Sequence, residues 1–347
     1  MHFIKAMFII KGSELRERCD MAEKAPWITY RPELQVLDCT IRDGGLINNH
    51  LFTDDLVKSV YDTCLAAGID AMEIGYKNSP RLFSKDEFGP WRHCDEEDLN
   101  RVVGGHDAEQ TGLKLSAMAD AGKSDWKQQI VPCDQSVLDM IRVAFYAPQV
   151  SEAVEMICHA HEMGYETMAN LMAVSNISES EIDAVLEAVS DSPAGTMVIV
   201  DSFGHLHREQ IDMLYKKYAD AMAGTGKDIG IHAHNNMQLA FANTIEAIIL
   251  GSNRADATMA GLGRGAGNCP MELLLGFLRN PKFKLRPVIQ LLRDQIDPLR
   301  ETVEWGPLVP YNITGQMNRH PRAAMEFRAG GEKDDYLKFY DQMVSDD

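Results

Sequence analysis

The strongest chemical signal is a pair of imidazoles one residue apart, in Ile231-His232-Ala233-His234-Asn235-Asn236. On a strand, residues i and i+2 point to the same face, so His232 and His234 can reach one cation together. The same tripeptide recurs at His159 to His161, inside a segment bracketed by Ser151 and Gly164 that reads as a helix. There two steps of about 100° place the rings on nearly opposite sides, with His161 against Ile157 and His159 in solvent. A carboxylate is available in Asp38-Cys39-Thr40-Ile41-Arg42-Asp43-Gly44-Gly45, where the paired glycines let the backbone turn sharply and leave Arg42 and Asp43 at a rim. Taken alone, that segment reads better as a surface ion pair beside a turn. A third segment, Ala260-Gly261-Leu262-Gly263-Arg264-Gly265-Ala266-Gly267-Asn268, precedes a helix expected from about Pro270. A glycine-rich turn opening a helix suggests phosphate or dinucleotide binding, but no acidic residue closes a following βαβ unit. Asn268 also reads as a helix N-cap.

Elements that could bring these segments together alternate along the chain. Short apolar runs near 34–39, 71–75, 113–118, 138–145, 166–173, 197–201, 229–234 and 255–260 predict eight strands, separated by longer amphipathic stretches. Thr53 caps a helix whose apolar residues recur at 56, 57, 60, 61, 64 and 65 and which stops at Gly68. Ser178 with Glu181 is a capping box, opening a helix with Ile182, Val185, Leu186 and Val189 on its buried face. Eight βα units in roughly 250 residues predict a (β/α)8 TIM barrel, with the doubly wound open sheet as the alternative. In a barrel the eighth strand neighbours the first and seventh, so Asp43, His232, His234 and Asn268 would converge at the C-terminal rim. The expected organisation is an N-terminal extension over 1–33, a barrel over 34–280, and a mostly helical annex with an acidic tail over 281–347.

Composition narrows the partners. The 347 residues are 45% hydrophobic and 25% charged, enough for a sizeable core. A net charge of −18 repels phosphate backbones and anionic bilayers, so neither nucleic acid nor membrane is an expected partner. An anionic small substrate would need a local cation or a metal. Seven cysteines without a C-x-x-C pair fit a reducing cytoplasm better than a disulfide framework. The apolar run from Ala6 to Ile10 is too short for a signal or spanning segment.

Together, D-C-T-I-R-D-G-G, M-E-I-G, H-A-H-N-N and G-L-G-R-G-A-G-N resemble, in order and spacing, the HMG-CoA lyase-like family of metal-dependent barrels over about residues 34–280. That family includes 4-hydroxy-2-oxovalerate aldolases, 3-hydroxy-3-methylglutaryl-CoA lyase, and isopropylmalate and homocitrate synthases. The resemblance implies that Asp43, His232 and His234 bind a divalent cation, with Asn268 a further ligand or near neighbour. It implies that Arg42 stabilises an enolate oxygen and that Glu73 belongs to the same rim, with substrate contacts expected at Arg42, Ser202, Gly263 and Gly265. Carboxylate, imidazole and amide donors suit Mn2+ or Mg2+, with Co2+ or Zn2+ as alternatives, and open positions on the ion can chelate a 2-oxo acid. The implied activity is that of an aldolase, a carbon–carbon lyase working through a pyruvate-like enolate. A Claisen-type condensation of an acyl-CoA with a 2-oxo acid, or a metal-binding barrel without turnover, are the alternatives. Expected partners are a small anionic 2-oxo acid, and a further copy of the chain or an aldehyde-consuming enzyme.

The glycine loop is similar to that of the oxovalerate aldolases, whereas the CoA lyase carries a cysteine there. One departure bears on mechanism. Those aldolases place a histidine base three residues after the metal-binding Asp, and this chain has Leu46. Candidates to replace it are His50, Tyr76, Lys77 and His205, the last ranked first because it follows the sixth strand. Tyr311 of the annex is a further candidate to reach over the barrel mouth.

Overall fold

The computed structural model describes residues 31–345, so the expected N-terminal extension up to residue 30 and the final two aspartates of the acidic tail lie outside the described residues. Eight parallel strands close on themselves in sequence order: β1 (Gln35–Asp38), β2 (Ala71–Tyr76), β3 (Lys114–Asp120), β4 (Met140–Phe145), β5 (Glu166–Leu171), β6 (Thr196–Asp201), β7 (Asp228–Ala233) and β8 (Arg254–Ala257). β8 seals the ring by pairing with β1, Val36 opposite Ala255, and with β7, Ile231 opposite Ala255. The closed barrel, not the open sheet, is therefore the architecture.

The side-chain period of two sorts residues between the two faces of each strand. Leu115, Ala117 and Ala119 of β3 belong to the large apolar layer beneath the helices, whereas Leu37, Ala71, Met140, Met168 and Val198 form a small separate cluster. One step further along the strands, Glu73, Arg142, Asn170, His232 and Asp256 are all buried. The wall of the barrel thus changes from apolar to ionic towards the strands' C-terminal ends.

A one-turn helix, α1 (Thr40–Gly44), follows β1 directly. The outer helices are α2 (Asp54–Ala67), α3 (Glu96–Val103), α4 (Val150–Glu162), α5 (Glu179–Ser190), α6 (Arg208–Met222), α7 (Ala240–Leu250) and α8 (Met271–Leu278). Only single turns, such as Trp126–Gln129, accompany β3. The Thr53 cap accepts from the Leu56 N–H, and Ser178 and Glu181 form the expected capping box. The paired glycines make no left-handed turn: Gly44 and Gly45 have φ of −59° and −61°. Their absent side chains serve close approach instead, since a Cβ on Gly45 would lie 2.2 Å from the His50 ring. The expected eighth strand is shortened because the chain winds into a 3-10 turn at Met259–Gly261.

In α4 the two histidines reverse their expected environments. His161 is exposed, while His159 is half buried with its ring 5.2 Å from Trp126 in an edge-to-face contact. The cause is the single turn at Trp126–Gln129, which the helical period of α4 alone could not reveal.

Past α8 come α9 (Leu285–Leu291), whose Val288 and Leu291 join the main core, and α10 (Val309–Gln316), α11 (Arg322–Ala329) and α12 (Tyr336–Ser345). Tyr311, Ile313, Ala324, Phe339 and Met343 make a small core of their own that also takes in Ala266 of the glycine loop. Polar contacts tie this unit to the barrel mouth: Asn312 Nδ2 donates to the Asn236 carbonyl at 2.5 Å, and Ser175 Oγ to Asn318 Oδ1 at 2.7 Å.

Asp38 at the end of β1 is fully buried, accepting from the Thr40 N–H at 3.1 Å and from Thr40 Oγ1 at 2.6 Å. Burial outweighs these bonds and pushes its carboxyl up from 3.8 to about 7. The folded state therefore binds this proton more tightly than the unfolded chain. Its contribution is favourable at low pH and is lost as pH rises from about 4 towards 7. Asp38→Asn, which still accepts the Thr40 N–H, should flatten this dependence by up to about 1.4 kcal/mol per pH unit. Urea unfolding at pH 5 and pH 7 measures it, and parallel behaviour of the two proteins would refute the assignment.

Candidate metal centre

Backbone geometry places the site at the C-terminal mouth. β7 presents His232, and His234 lies just past its end, held in an isolated bridge with Asn268 of the glycine loop. α1 turns Asp43 inward from β1, so residues from the first, seventh and eighth βα segments meet. One ligand atom from each of Asp43, His232 and His234 lies within 4.8 Å of the others, and all three residues are buried. Arg42 and Asp43 are 4% and 1% exposed, which replaces the surface ion pair with a buried one.

The unmet hydrogen-bonding capacity converges at the same point. His232 Nδ1 lies 3.0 Å from Asp256 Oδ2, which leaves Nε2 buried without a partner. His234 Nδ1 and Asn268 Oδ1 are likewise buried and unpartnered. Buried polar atoms without partners are costly, and several around one carboxylate are the signature of a cation site. Asp256 fixes the tautomer of His232 that directs the Nε2 lone pair inward, as outer carboxylates do for metal-binding imidazoles.

The charge states suit an ion. Burial keeps the His234 imidazole neutral, well below its ordinary pKa. Burial alone would favour the acid form of Asp43, but the surrounding positive groups, Arg42 among them, hold its carboxyl well below the usual range. Burial also opposes ionisation of Asp256, and Arg142 reverses it, bringing the carboxyl down to about 2. A second grouping of Cys39, His232 and Asp256 shares His232, and Arg142 already contacts both Cys39 and Asp256, so a guanidinium occupies the place a cation would take.

Arg42 is aimed by its neighbours. Its Nε donates to Glu73 Oε2 at 2.5 Å and its Nη1 to Asp43 Oδ1 at 2.8 Å. Glu73 Oε2 also accepts from Arg142 Nη1 at 3.0 Å. Arg142 continues to Asn170 Oδ1 at 3.0 Å and to Asp256 Oδ2 at 2.5 Å, linking β2, β4, β5 and β8 behind the candidate metal ligands. Sequence reasoning missed Arg142 and Asp256. The available signal was a charged residue in the middle of the buried run Met140-Ile141-Arg142-Val143-Ala144-Phe145.

A cavity opens onto these residues. Its charged side carries Arg42, Asp43, His232, His234 and Arg264, with Asn170 and Ser202 adjoining. The opposite side is apolar: Leu46, Tyr76, Met118, Ala144 and Met172 line the cavity and also form one hydrophobic cluster. Other expected contacts fall elsewhere. Gly263 is pressed against two of the candidate ligands, since a Cβ there would lie 2.2 Å from Asn268 Nδ2 and 2.5 Å from Asp43 Oδ2. Gly265, at φ +64°, abuts Asn236 and Pro321. Neither lines the cavity; both give room to the side chains around it. Asn268 does not cap α8, whose preceding residue is Pro270; it donates to Asp43 Oδ2 at 2.5 Å.

Of the candidate bases, Tyr76 alone lines the cavity. His205 pairs through Nδ1 with the Gly315 carbonyl at 2.8 Å, and Tyr311 donates to Glu304 at 3.2 Å within the annex core. Lys77 donates to the Cys94 carbonyl and to Glu96, both at 2.7 Å. His50 lies behind Tyr76, ring centroids 5.3 Å apart, with Nε2 at 3.0 Å from the Arg42 carbonyl. Tyr76 faces the cavity, and burial pushes its phenol well above the ordinary value.

The HMGL-like family model matches residues 33–294. The chain belongs to the HMGL-like family. An oxaloacetate decarboxylase of Mycobacterium tuberculosis is 29% identical over 255 residues, 72% of this chain and 71% of that protein. A 4-hydroxy-2-oxovalerate aldolase of Comamonas testosteroni is 30% identical over 246 residues, 70% of this chain and 68% of its own length. Among solved structures, the N-terminal domain of an aldolase candidate from Bacteroides vulgatus matches with a TM-score of 0.72 at 28% identity, over 85% of this chain and 96% of that one. The HMG-CoA lyase of Brucella melitensis shares the fold, with a TM-score of 0.61 at 16% identity over 77% and 99% of the two chains.

Proposed function

We propose that this HMGL-like chain is a divalent-metal-dependent carbon–carbon lyase of aldolase type, acting on a small anionic 2-oxo acid through a pyruvate-like enolate. The observation that carries the reading is the set of unpartnered buried atoms of His232, His234 and Asn268 around ionised Asp43, beside a fixed Arg42. Asp43, His232 and His234 would hold the ion, with Asn268 as a further ligand or neighbour; this mixed donor set favours Mn2+ or Mg2+ over Co2+ or Zn2+. When bound, such an ion supplies Lewis-acid polarisation of a chelated ketone and carboxylate. Arg42, clamped by Glu73 and Asp43, directs fixed positive charge at the ketone oxygen, where negative charge grows as the carbon–carbon bond breaks. The apolar wall from Leu46 to Met172 excludes water from the other end of the substrate. His205 and Tyr311 act as positioning residues that seat the annex on the barrel. We take 34–280 as the catalytic unit, 281–347 as its annex, and a reducing cytoplasm as the setting in which the six described cysteines remain unpaired.

One observation favours a second reaction at the same site. Among the described residues, the cavity wall has no carboxylate or imidazole beyond the three that would hold the ion. Retro-aldol cleavage must remove a proton from a hydroxyl, whereas loss of CO2 from a 2-oxo acid carboxylated at the neighbouring carbon needs no base. The test is pyruvate release from oxaloacetate and from a panel of 4-hydroxy-2-oxo acids, with Mn2+ and with chelator, alongside consumption of acyl-CoA. Metal-dependent pyruvate release is expected. Failure with every 2-oxo acid would overturn the lyase reading, and acyl-CoA consumption alone would replace it with condensation.

A further inference from the structure

One cation in the cavity has no part in the chemistry described so far. Arg264, from the glycine loop after β8, lines the same cavity as Asp43, His232 and His234. Unlike Arg42 and Arg142, it forms no ion pair among the described residues. Its Nε is buried without a partner, and its Nη2 reaches only the Ser202 carbonyl, at 3.3 Å.

Its remaining contact is contested. Nη1 lies 2.9 Å from Nε2 of His320, on the annex segment between α10 and α11. The same ring receives the Arg322 N–H at Nδ1, at 3.0 Å. A neutral imidazole has one lone pair for hydrogen bonding, so it accepts from Arg264 in one tautomer and from the Arg322 N–H in the other. Arg264 is therefore a buried-side guanidinium with several donors unmet, although a protein of net charge −18 offers abundant carboxylates.

Its place around the ring indicates what it would meet. The apolar wall comes from the first five βα units, and the candidate metal ligands from the first, seventh and eighth. Arg264 spans from the β8 loop towards Ser202 after β6, on the charged side. A 2-oxo acid seated with its remaining substituent against the apolar wall presents its carboxylate to that charged side.

We propose that Arg264 is a substrate-binding residue that grips the carboxylate of the 2-oxo acid, with His320 of the annex holding the guanidinium in place. The proposal rests on the lyase reading above, because it takes the metal centre as the anchor for the rest of the molecule. Arg264 supplies donors that a chelated carboxylate still lacks on its outer oxygen. The annex is then part of the site, since it contributes the residue behind the arginine. The His320 ring suits this position because burial, with Arg264, Arg322 and Lys123 nearby, brings its pKa down to about 3 and keeps it neutral.

The test is calorimetric and needs no turnover. Mn2+ binding is measured first on the wild type and Arg264→Ala, followed by titration of the Mn2+-loaded proteins with oxalate and with acetohydroxamate, a bidentate chelator that has no carboxylate. Mn2+ and acetohydroxamate affinities are expected to be retained in the variant, while oxalate binds roughly ten- to a hundredfold more weakly, the range for a lost charge-assisted hydrogen-bond pair. Arg264→Lys should recover part of the loss, and His320→Ala should weaken oxalate about threefold or more with Mn2+ unaffected. Unchanged oxalate affinity, or equal losses for oxalate and acetohydroxamate, would overturn the assignment of Arg264. A wild-type protein that takes up no Mn2+ would instead overturn the metal reading and the proposal with it.

Discussion

Replacing Asp43 with alanine is expected to remove metal binding and to lower lyase turnover by at least about 1,000-fold, equivalent to roughly 4 kcal/mol of transition-state stabilisation. Asp43 is the sole anion among the three candidate ligands, and it also fixes Nη1 of Arg42. Without it, two imidazoles face a buried guanidinium with nothing to offset a divalent charge. Asp43→Asn separates charge from shape: it preserves the volume and a hydrogen-bond acceptor for Arg42 but lacks the negative charge, so it should lose nearly as much as alanine. Metal content of the purified proteins, with circular dichroism as the control for folding, decides the matter. Folded variants that retain stoichiometric Mn2+ and activity would remove Asp43 from the site.

Arg142→Met should produce the largest loss of stability, about 3–5 kcal/mol. The guanidinium is fully buried and bonds Glu73, Asn170 and Asp256, so its removal leaves two carboxylates in a low-dielectric interior without their common partner. The pair cannot escape to water, because both are buried inside a closed ring of strands. Combining Arg142→Met with Glu73→Gln and Asp256→Asn should recover much of the stability, because the uncompensated charges go with it. Activity should not return in the triple variant, since Asp256 no longer orients His232 and Glu73 no longer holds Arg42 as an ion pair. Denaturant unfolding of the single and triple variants tests the first part; equal stability of Arg142→Met and the wild type would show that the network carries no structural charge balance.

Residues whose role is set by local period were legible from the chain alone. His232 and His234 point together because a strand repeats every two residues, and Asp43 with Asn268 could be placed beside them once eight βα units implied closure of β8 on β1. The caps at Thr53 and Ser178 were legible for the same reason, since a cap depends on atoms within four residues. His159 and His161 mark the limit: the helical period separated them correctly, but which of them is covered depends on Trp126, some thirty residues away in sequence.

The sequence determined the number and order of the strands, the inward pairing of the imidazoles and the acidic, metal-demanding character of the whole. Only the tertiary structure decided that Arg42 and Asp43 are buried, that Arg142 joins Glu73 to Asp256, that Gly263 yields its space to Asp43 and Asn268, and that Arg264 leans on His320. Those facts depend on distances across the barrel, between residues up to 225 positions apart. Local preferences fix which way a side chain points along its own strand. What it meets there is set by closure of the ring, to which every other strand contributes.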